Sequence, residues 1–339
     1  MSELRCGPFA DQWVISAPER GRRPSDYRRE EEERSKEEDC PFCPGNEQMT
    51  PPEIYRVTGE DRRWRVRVVP NKFPALQDQP RLDREAVADV FVRVNGVGSH
   101  EVVIDSPEHR KEIPDLPLEQ IELIIDTYVL RLRALMEKSA HRYVLLFKNH
   151  GKEAGASLAH PHSQIIAAPI VPPAVEARLQ AAKAYYKKKR RCPFCDILVE
   201  EIRCGERIIE EADGYVLLAP YDSRFPFEMA IYPRDHAHDF TAITAEQRRG
   251  LARVLKRTLS RLKCLLEDPP YNLILQTALN SREETTAGQK VLSSSSHWRI
   301  EIIPRLTRMA GFEWGSGLHI NPTPPEEAAR YLREVAITG

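Results

Sequence analysis

Two stretches of this chain carry the same ordered set of cysteines and histidines. The first runs Cys40-Pro-Phe-Cys43, Ser106-Pro-Glu-His109 and His160-Pro-His162-Ser-Gln164. The second runs Cys192-Pro-Phe-Cys195, Pro233-Arg-Asp-His236 and His297-Trp-Arg299-Ile-Glu301. Each set offers two thiolates and two imidazoles, a tetrahedral zinc complement. A chain built this way must bring three distant segments together twice. Only the first set keeps a spare histidine, His162, two residues past a candidate ligand. Two residues along a strand returns to the same face, so His162 is expected beside the metal framework without belonging to it. His238 is the alternative to His236 as a ligand. The parallel between the segments ending in His109 and His236 favours His236.

The chain has 339 residues, which predicts two domains, placed at 1–185 and 186–339. An apolar fraction of 41% and a charged fraction of 30% are those of a soluble globular protein. The net charge of −1 gives no global field for nucleic acid or membrane. No apolar run approaches a membrane span, and Met1 to Trp13 has no signal-peptide core, so the cytoplasm is the expected compartment. Four of the seven cysteines form the two Cys-x-x-Cys pairs; Cys6, Cys204 and Cys264 are scattered. That pattern reads as metal ligands plus free thiols. A redox Cys-x-x-Cys is the competing reading, and the downstream histidines in matching order weigh against it.

Apolar spacing predicts an amphipathic helix over 118–139, followed by a strand over 143–147. A similar helix over 245–267 precedes a strand over 271–276. The histidine-bearing strands are 160–167 and 297–303. Upstream strands are expected at 87–94 and 102–104, then at 215–219 and 228–232. Both halves thus read as α+β, each an antiparallel sheet with one long helix. Residues 28–39 are nearly all charged and read as a solvated segment. The basic run Lys187 to Arg191 reads as a solvated helix end. Residues 281–296, rich in Ser and Thr, read as a loop.

The chemistry is expected around His-Pro-His-Ser-Gln. Pro161 stiffens the backbone between the two imidazoles. A neutral imidazole can attack phosphorus, and Gln164, on the same strand face, can donate to a phosphoryl oxygen. Asn149, Gly151, Gly155 and Ser157 lie just upstream, where glycines let backbone amides approach an anion. In the second half Arg299 stands in the place of His162, and Glu301 in that of Gln164. Arginine is no nucleophile at neutral pH, so this half is expected to keep a metal for folding only.

The stretch Phe147-Lys-Asn149-His-Gly151-Lys-Glu-Ala-Gly155-Ala-Ser157-Leu-Ala-His160-Pro-His162-Ser-Gln164 resembles the signature of galactose-1-phosphate uridylyltransferases, within the histidine-triad superfamily. Trp13 to Pro24, Cys40 to Cys43 with Thr50-Pro-Pro-Glu53, Val69-Pro-Asn71-Lys-Phe-Pro and Ser106-Pro-Glu-His109 extend the resemblance along nearly the whole chain. It implies two tandem histidine-triad-like domains, the second with a degenerate site. His162 would take a uridylyl group from UDP-glucose as a covalent intermediate, with Gln164 holding the phosphoryl oxygens. Cys40, Cys43, His109 and His160 would bind zinc. Cys192, Cys195, His236 and His297 would form the second site, making about two Zn2+ per chain. Iron or cobalt suits the same ligands, with iron an option at one site. Asn71, Asn149, Gly155 and Ser157 match positions that contact nucleotide or phosphates. Arg20 and Arg23 match arginines reached across a homodimer interface.

Many family members lack the second cysteine pair. The C-terminal hexose-binding segment, which includes Phe312, also differs, with Gly311, Ser316 and Gly317 standing where lysine, tyrosine and glutamate are usual. It looks closer to the branch that includes plant ADP-glucose phosphorylase. The expected partners are a nucleotide sugar and a hexose 1-phosphate, in galactose and carbohydrate metabolism, with no nucleic acid and no membrane. The expected reaction is a ping-pong uridylyl transfer, with the segment Phe312 to Asn321 packed near the first-half site. The alternatives are an ADP-glucose phosphorylase-like transfer to inorganic phosphate and, from another class, a zinc-organised nucleic-acid-binding module.

Overall fold

The computed structural model describes residues 3–6, 13–16, 37–79, 81, 83–87, 90–280 and 285–337. Arg20, Arg23 and most of the charged segment 28–39 lie outside these. In chain order the strands and helices begin with β1 (Glu3–Cys6), β2 (Trp13–Ser16), β3 (Tyr55–Thr58), β4 (Trp64–Pro70), β5 (Arg84–Val87), β6 (Phe91–Val94) and β7 (Ser99–Ile104). They continue with α1 (Leu118–Met136), β8 (Tyr143–His150), β9 (His162–Ala168), α2 (Pro173–Lys189), α3 (Pro193–Cys204), β10 (Ile208–Ala212), β11 (Tyr215–Leu218) and β12 (Met229–Pro233). The remainder is α4 (Ala245–Leu266), β13 (Tyr271–Gln276), α5 (Thr286–Ser295), β14 (Arg299–Pro304), α6 (Gly311–Ser316), β15 (His319–Asn321) and α7 (Pro325–Glu334).

Ten strands form one antiparallel sheet in the order β10-β11-β12-β14-β13-β8-β9-β7-β4-β3. Each half supplies five strands and one long helix, and the halves join edge to edge where β8 pairs with β13. The chain is therefore α+β, as its periodicity predicts. The division drawn at residue 185 falls within α2.

α1 and α4 cover one face of this sheet. Ile121, Ile124, Ile125, Tyr128, Leu132 and Leu135 of α1 recur every three or four residues and are all buried. Leu251, Val254, Leu255, Leu259 and Leu262 of α4 do the same. Both helices pack on Val144, Leu146, Ile165, Leu273 and Ile302 in a single apolar core. A capping box at Thr244 and Gln247 starts α4. The opposite face of the sheet carries His162, Gln164, Arg299 and Glu301, because alternate residues of a strand point to opposite sides.

Several sequence expectations are corrected. The apolar run 87–94 is not one strand but a hairpin, β5 with β6, in a two-stranded sheet of its own. Val90 turns the chain, and Val90, Phe91 and Val92 stay exposed, so apolar character alone misreads the segment. Within 281–296, Thr286–Ser295 is helical: Thr285 accepts from the Gly288 amide at its N-terminus, and the hydroxyls of Ser295 and Ser296 bond back to the Leu292 carbonyl. The strands over 160–167 and 297–303 begin two residues later than expected, at His162 and Arg299. The basic run ends α2, as a helix terminus.

Candidate active site

β9 delivers His162 and Gln164 to the open face of the sheet. The preceding turn delivers His160, so the two histidines are set by the turn and not by strand alternation. His160 is fully buried. Its Nε2 lies 2.8 Å from the Ser106 carbonyl, a geometry in which Nε2–H donates and Nδ1 keeps a lone pair. Nδ1 then faces the thiols, 3.5 Å from Cys43 Sγ. His109 Nδ1 lies 3.1 Å from the same sulfur. The ligand atoms of Cys40, Cys43, His109 and His160 lie within 4.8 Å of one another.

That donor set fits a tetrahedral S2N2 centre of the kind zinc prefers, and the Ser106 contact is the outer-shell bond that orients a ligating imidazole. Burial and the neighbouring Cys40 push the Cys43 thiol up to about 12. Two buried thiolates side by side call for a cation. Burial, with His109 and His162 nearby, lowers the His160 imidazole to about 4, leaving it neutral as a ligand must be.

The second set closes the same way. Cys192, Cys195, His236 and His297 also converge within 4.8 Å. Cys195 Sγ lies 3.3 Å from His236 Nδ1 and 3.7 Å from His297 Nδ1. The outer nitrogens reach the Ser293 and Pro233 carbonyls at 2.9 and 3.0 Å. His238, the alternative ligand, is not in the cluster. Hydrogen bonds from Cys195, His236 and His297 hold the Cys192 thiol well down, whereas Cys195 beside it is pushed up.

His162 is poised differently. Its Nδ1 lies 2.9 Å from the His160 carbonyl and donates to it, which leaves the Nε2 lone pair free. Burial lowers its pKa, so the ring is neutral at pH 7. Phe42 packs its edge against the ring at 5.3 Å. Gln164 is fixed by a residue that the sequence reading missed. His100, on β7, accepts the Ala75 amide at Nδ1 (3.1 Å). Its Nε2–H is then free to donate to Gln164 Oε1 at 2.8 Å. The Gln164 amide NH2 is left to face a ligand. Asn71 Nδ2 lies 3.2 Å from the same His100 nitrogen, which places Asn71 in this cluster.

Asn149 and the turn after it form the next wall. Asn149 Nδ2 reaches the Gly155 carbonyl at 3.4 Å. Asn272, from the second half, donates to Asn149 Oδ1 at 2.9 Å and to the Ala154 carbonyl at 2.8 Å. Gly151 has φ of +79°, and a Cβ there would meet Pro270 at 2.7 Å, so only glycine fits. Gly155 has φ of +91° and is likewise left-handed. Ser157 lies between this turn and His160.

Behind β9, on the helix face, sits a charged cluster that no spacing argument flagged. Lys148 bonds Asp105 at 3.0 Å and Glu112 at 3.1 Å. Glu112 and Asp268 each lie 3.1 Å from His150, one at either ring nitrogen. Ser163 donates to Asp105 at 3.1 Å and meets the Tyr128 hydroxyl at 2.5 Å. The signal was available in outline: Lys148 and His150 continue the buried series of Val144 and Leu146 along β8, and such burial requires partners.

The part of 312–321 that packs, residues 319–321, does so on the second half and the N-terminal strand and not on the first-half site as expected. Phe312 is half exposed in α6. β15 pairs in parallel with β2, His319 packs on Phe225, and Asn321 bonds the Ser223 and Phe225 carbonyls, all on the second half or the N-terminal strand.

Residues 1–172 match the family described as galactose-1-phosphate uridyl transferase, N-terminal domain, and residues 116–335 match a domain family of unknown function. An ADP-glucose phosphorylase of Arabidopsis thaliana is 35% identical over 99% of this chain and 93% of its own length. A galactose-1-phosphate uridylyltransferase of Thermotoga maritima is 33% identical over 99% of each chain. Among solved structures, the Arabidopsis ADP-glucose phosphorylase with bound ADP-glucose superposes with a TM-score of 0.83 at 34% identity, covering all of both chains. A uridylyltransferase structure superposes with a TM-score of 0.75 at 31% identity, covering 98% and 97%.

Proposed function

The chain belongs to the galactose-1-phosphate uridylyltransferase family, and from that premise we propose that it transfers a uridylyl group from UDP-glucose to a hexose 1-phosphate through a covalent histidine intermediate. The observation that carries this reading is the tautomer of His162: Nδ1 is committed to the His160 carbonyl, so Nε2 is the free nucleophile. Nε2 attacks the α-phosphorus. The bond from phosphorus to the bridging oxygen breaks, and glucose 1-phosphate leaves with the electron pair. The phosphate oxygen of a second hexose 1-phosphate then attacks the same phosphorus and expels His162 as a neutral imidazole. Gln164, held by His100, donates to a non-bridging oxygen whose charge grows in each transition state. Asn71, Asn149, Gly155 and Ser157 line the nucleotide and phosphate path. Arg20, Arg23 and Phe312 bind phosphate and sugar across a homodimer.

Zinc at Cys40, Cys43, His109 and His160, when bound, fixes the backbone whose carbonyl sets the His162 tautomer. Zinc or iron at Cys192, Cys195, His236 and His297 orders the second half. Residues 1–185 act as the catalytic unit and 186–339 as its degenerate partner, in a cytoplasmic enzyme. Identity of 35% to an ADP-glucose phosphorylase supports a second reading, with ADP-glucose as donor and inorganic phosphate as acceptor. Incubation with UDP-glucose and ADP-glucose separately, followed by intact-mass measurement, distinguishes the two donors.

A further inference from the structure

The strand order of the large sheet reads alike from either edge: β10, β11, β12, β14 and β13 stand against β3, β4, β7, β9 and β8. Register carries this relation to single residues. Gln164 pairs with Val102, and Glu301 with Ala230. Two positions before those partners, on the same faces, lie His100 and Glu228. In the first half His100 touches Gln164 directly. In the second, Arg224 bridges Glu228 at 2.7 Å and Glu301 at 3.3 Å.

The second half keeps a cleft at this place, about 500 Å³ in volume. That is the size of small-molecule sites. Phe194, Ala230 and Tyr232 form its buried floor. Its walls are closed to chemistry, because Arg299 replaces the nucleophile and is locked to Glu301 at 2.6 Å. Its walls also offer phosphate no uncommitted cation. Arg224 is held by Glu228, and Arg207 by Glu201 at 2.9 Å and Glu326 at 2.8 Å. Where the first half presents neutral Gln164 and His100, the second presents the carboxylates of Glu301 and Glu228. Asp222 adds another carboxyl at the rim, raised in pKa by burial beside Glu228. Buried ion pairs of this kind are often no more stabilising than apolar packing of equal volume. Their retention around an open cleft suits recognition better than stability.

We propose that this cleft is a second, non-catalytic ligand site that takes an unphosphorylated sugar. Hydroxyl groups can donate to the carboxylates and accept from guanidinium N–H groups without displacing either. The apolar face of a sugar ring matches the aromatic floor. The lining arginines Arg178, Arg207, Arg224 and Arg299 are each already paired with a carboxylate, so a phosphorylated sugar finds no uncommitted cation and binds less tightly.

The test uses the full-length His162→Ala protein, first titrated to saturation with UDP-glucose so that the first-half cleft is filled and cannot turn over. Failure of UDP-glucose to bind would count against the proposed function alone and leave the sugar titration interpretable. Glucose and galactose are then titrated calorimetrically, with glucose 1-phosphate in parallel. At least one free sugar is expected to bind once per chain, at least tenfold more tightly than glucose 1-phosphate. Ile197→Trp, which fills the cleft, should weaken that binding tenfold or more. Hydrogen exchange on unsubstituted protein gives a readout independent of how that variant folds: added sugar should protect 220–232 and 299–301. No heat from either free sugar, preference for the phosphorylated sugar, or protection confined to the first half would overturn the proposal.

Discussion

Lys148 and Asp105 form an ion pair of 3.0 Å that is almost wholly sealed from water, directly behind the strand that carries His162. Asp105 also donates its backbone N–H to the Pro161 carbonyl at 3.2 Å, within the turn between the two histidines. The pair thus ties the sheet interior to the backbone that sets the site.

Lys148→Met should leave Asp105 buried without its cation and Glu112 with His150 alone. Breaking such a pair from one side typically destabilises by about 3–5 kcal/mol. Urea denaturation should show that loss, and kcat should fall more than KM rises, because the His162 turn loses its anchor. Adding Asp105→Asn should recover part of the stability, since the orphaned charge is then removed. A Lys148→Met protein as stable as the parent would show that the cluster contributes nothing.

His150 gives the fold a pH dependence. Burial alone would lower its pKa, but hydrogen bonds to Asp268 and Glu112 raise it to about 9. The ordinary value is near 6.5, so its contribution is fully present below about pH 6.5. It is lost as pH rises toward 9, and it amounts to at most about 3 kcal/mol. Glu112 is lowered by Lys148 and then by His150, and Asp268 by His150, so their contribution disappears in acid as the pH falls through the lowered carboxylate pKa values. Thermal denaturation of metal-loaded protein should show the alkaline decline, and His150→Gln should abolish it. An unchanged slope between pH 6.5 and 9 in that variant contradicts the assignment.

Much of this was legible in the chain itself. The helical periodicity of α1 and α4 survives because both faces are simple: core on one side, solvent on the other. The metal sets were legible because cysteine and histidine spacing repeats. The ten-stranded continuity was not, since nothing in the sequence of β8 or β13 says which edge each will meet. His100 escaped because one histidine upstream of a strand looks like any other. Lys148 and His150 escaped because charged residues in an alternating strand read as solvent-facing, whereas here α1 and the Asp105–Glu112 loop cover them.

The two metal sets should separate by consequence. Cys192→Ser with Cys195→Ser is expected to remove about one metal per chain and to destabilise the second half, while nucleotidyl-enzyme formation persists. Cys40→Ser with Cys43→Ser should remove the other metal and abolish that intermediate, because the His160 carbonyl is no longer held. Metal content by plasma emission and adduct formation by mass report on each. Unchanged stoichiometry in either double variant means that its site does not exist.

Acceptor choice should be loose. Gly317 caps α6 with φ of +73°, a conformation that glutamate would adopt only with strain, and Gly311 has open space around it. Without long polar side chains at Gly311, Ser316 and Gly317, few buried groups are left unpaired by the wrong epimer. The kcat/KM values for glucose 1-phosphate and galactose 1-phosphate should therefore lie within roughly one to two powers of ten, about 1–3 kcal/mol. Phe312→Ala should raise KM for donor and acceptor alike, because the leaving and the incoming hexose phosphate take the same place opposite His162. A far larger preference for galactose 1-phosphate would mean that other residues read the sugar.

The central claim is that His162 Nε2 carries the nucleotidyl group, and one measurement addresses it. Wild-type and His162→Ala proteins are exposed to UDP-glucose, and separately to ADP-glucose, with no acceptor, and their intact masses are recorded. The account predicts a nucleotidyl adduct on the wild type only, released when hexose 1-phosphate or inorganic phosphate is added, with fold and metal content unchanged in the variant. An adduct that persists in His162→Ala, or turnover without any adduct on the wild type, would contradict it.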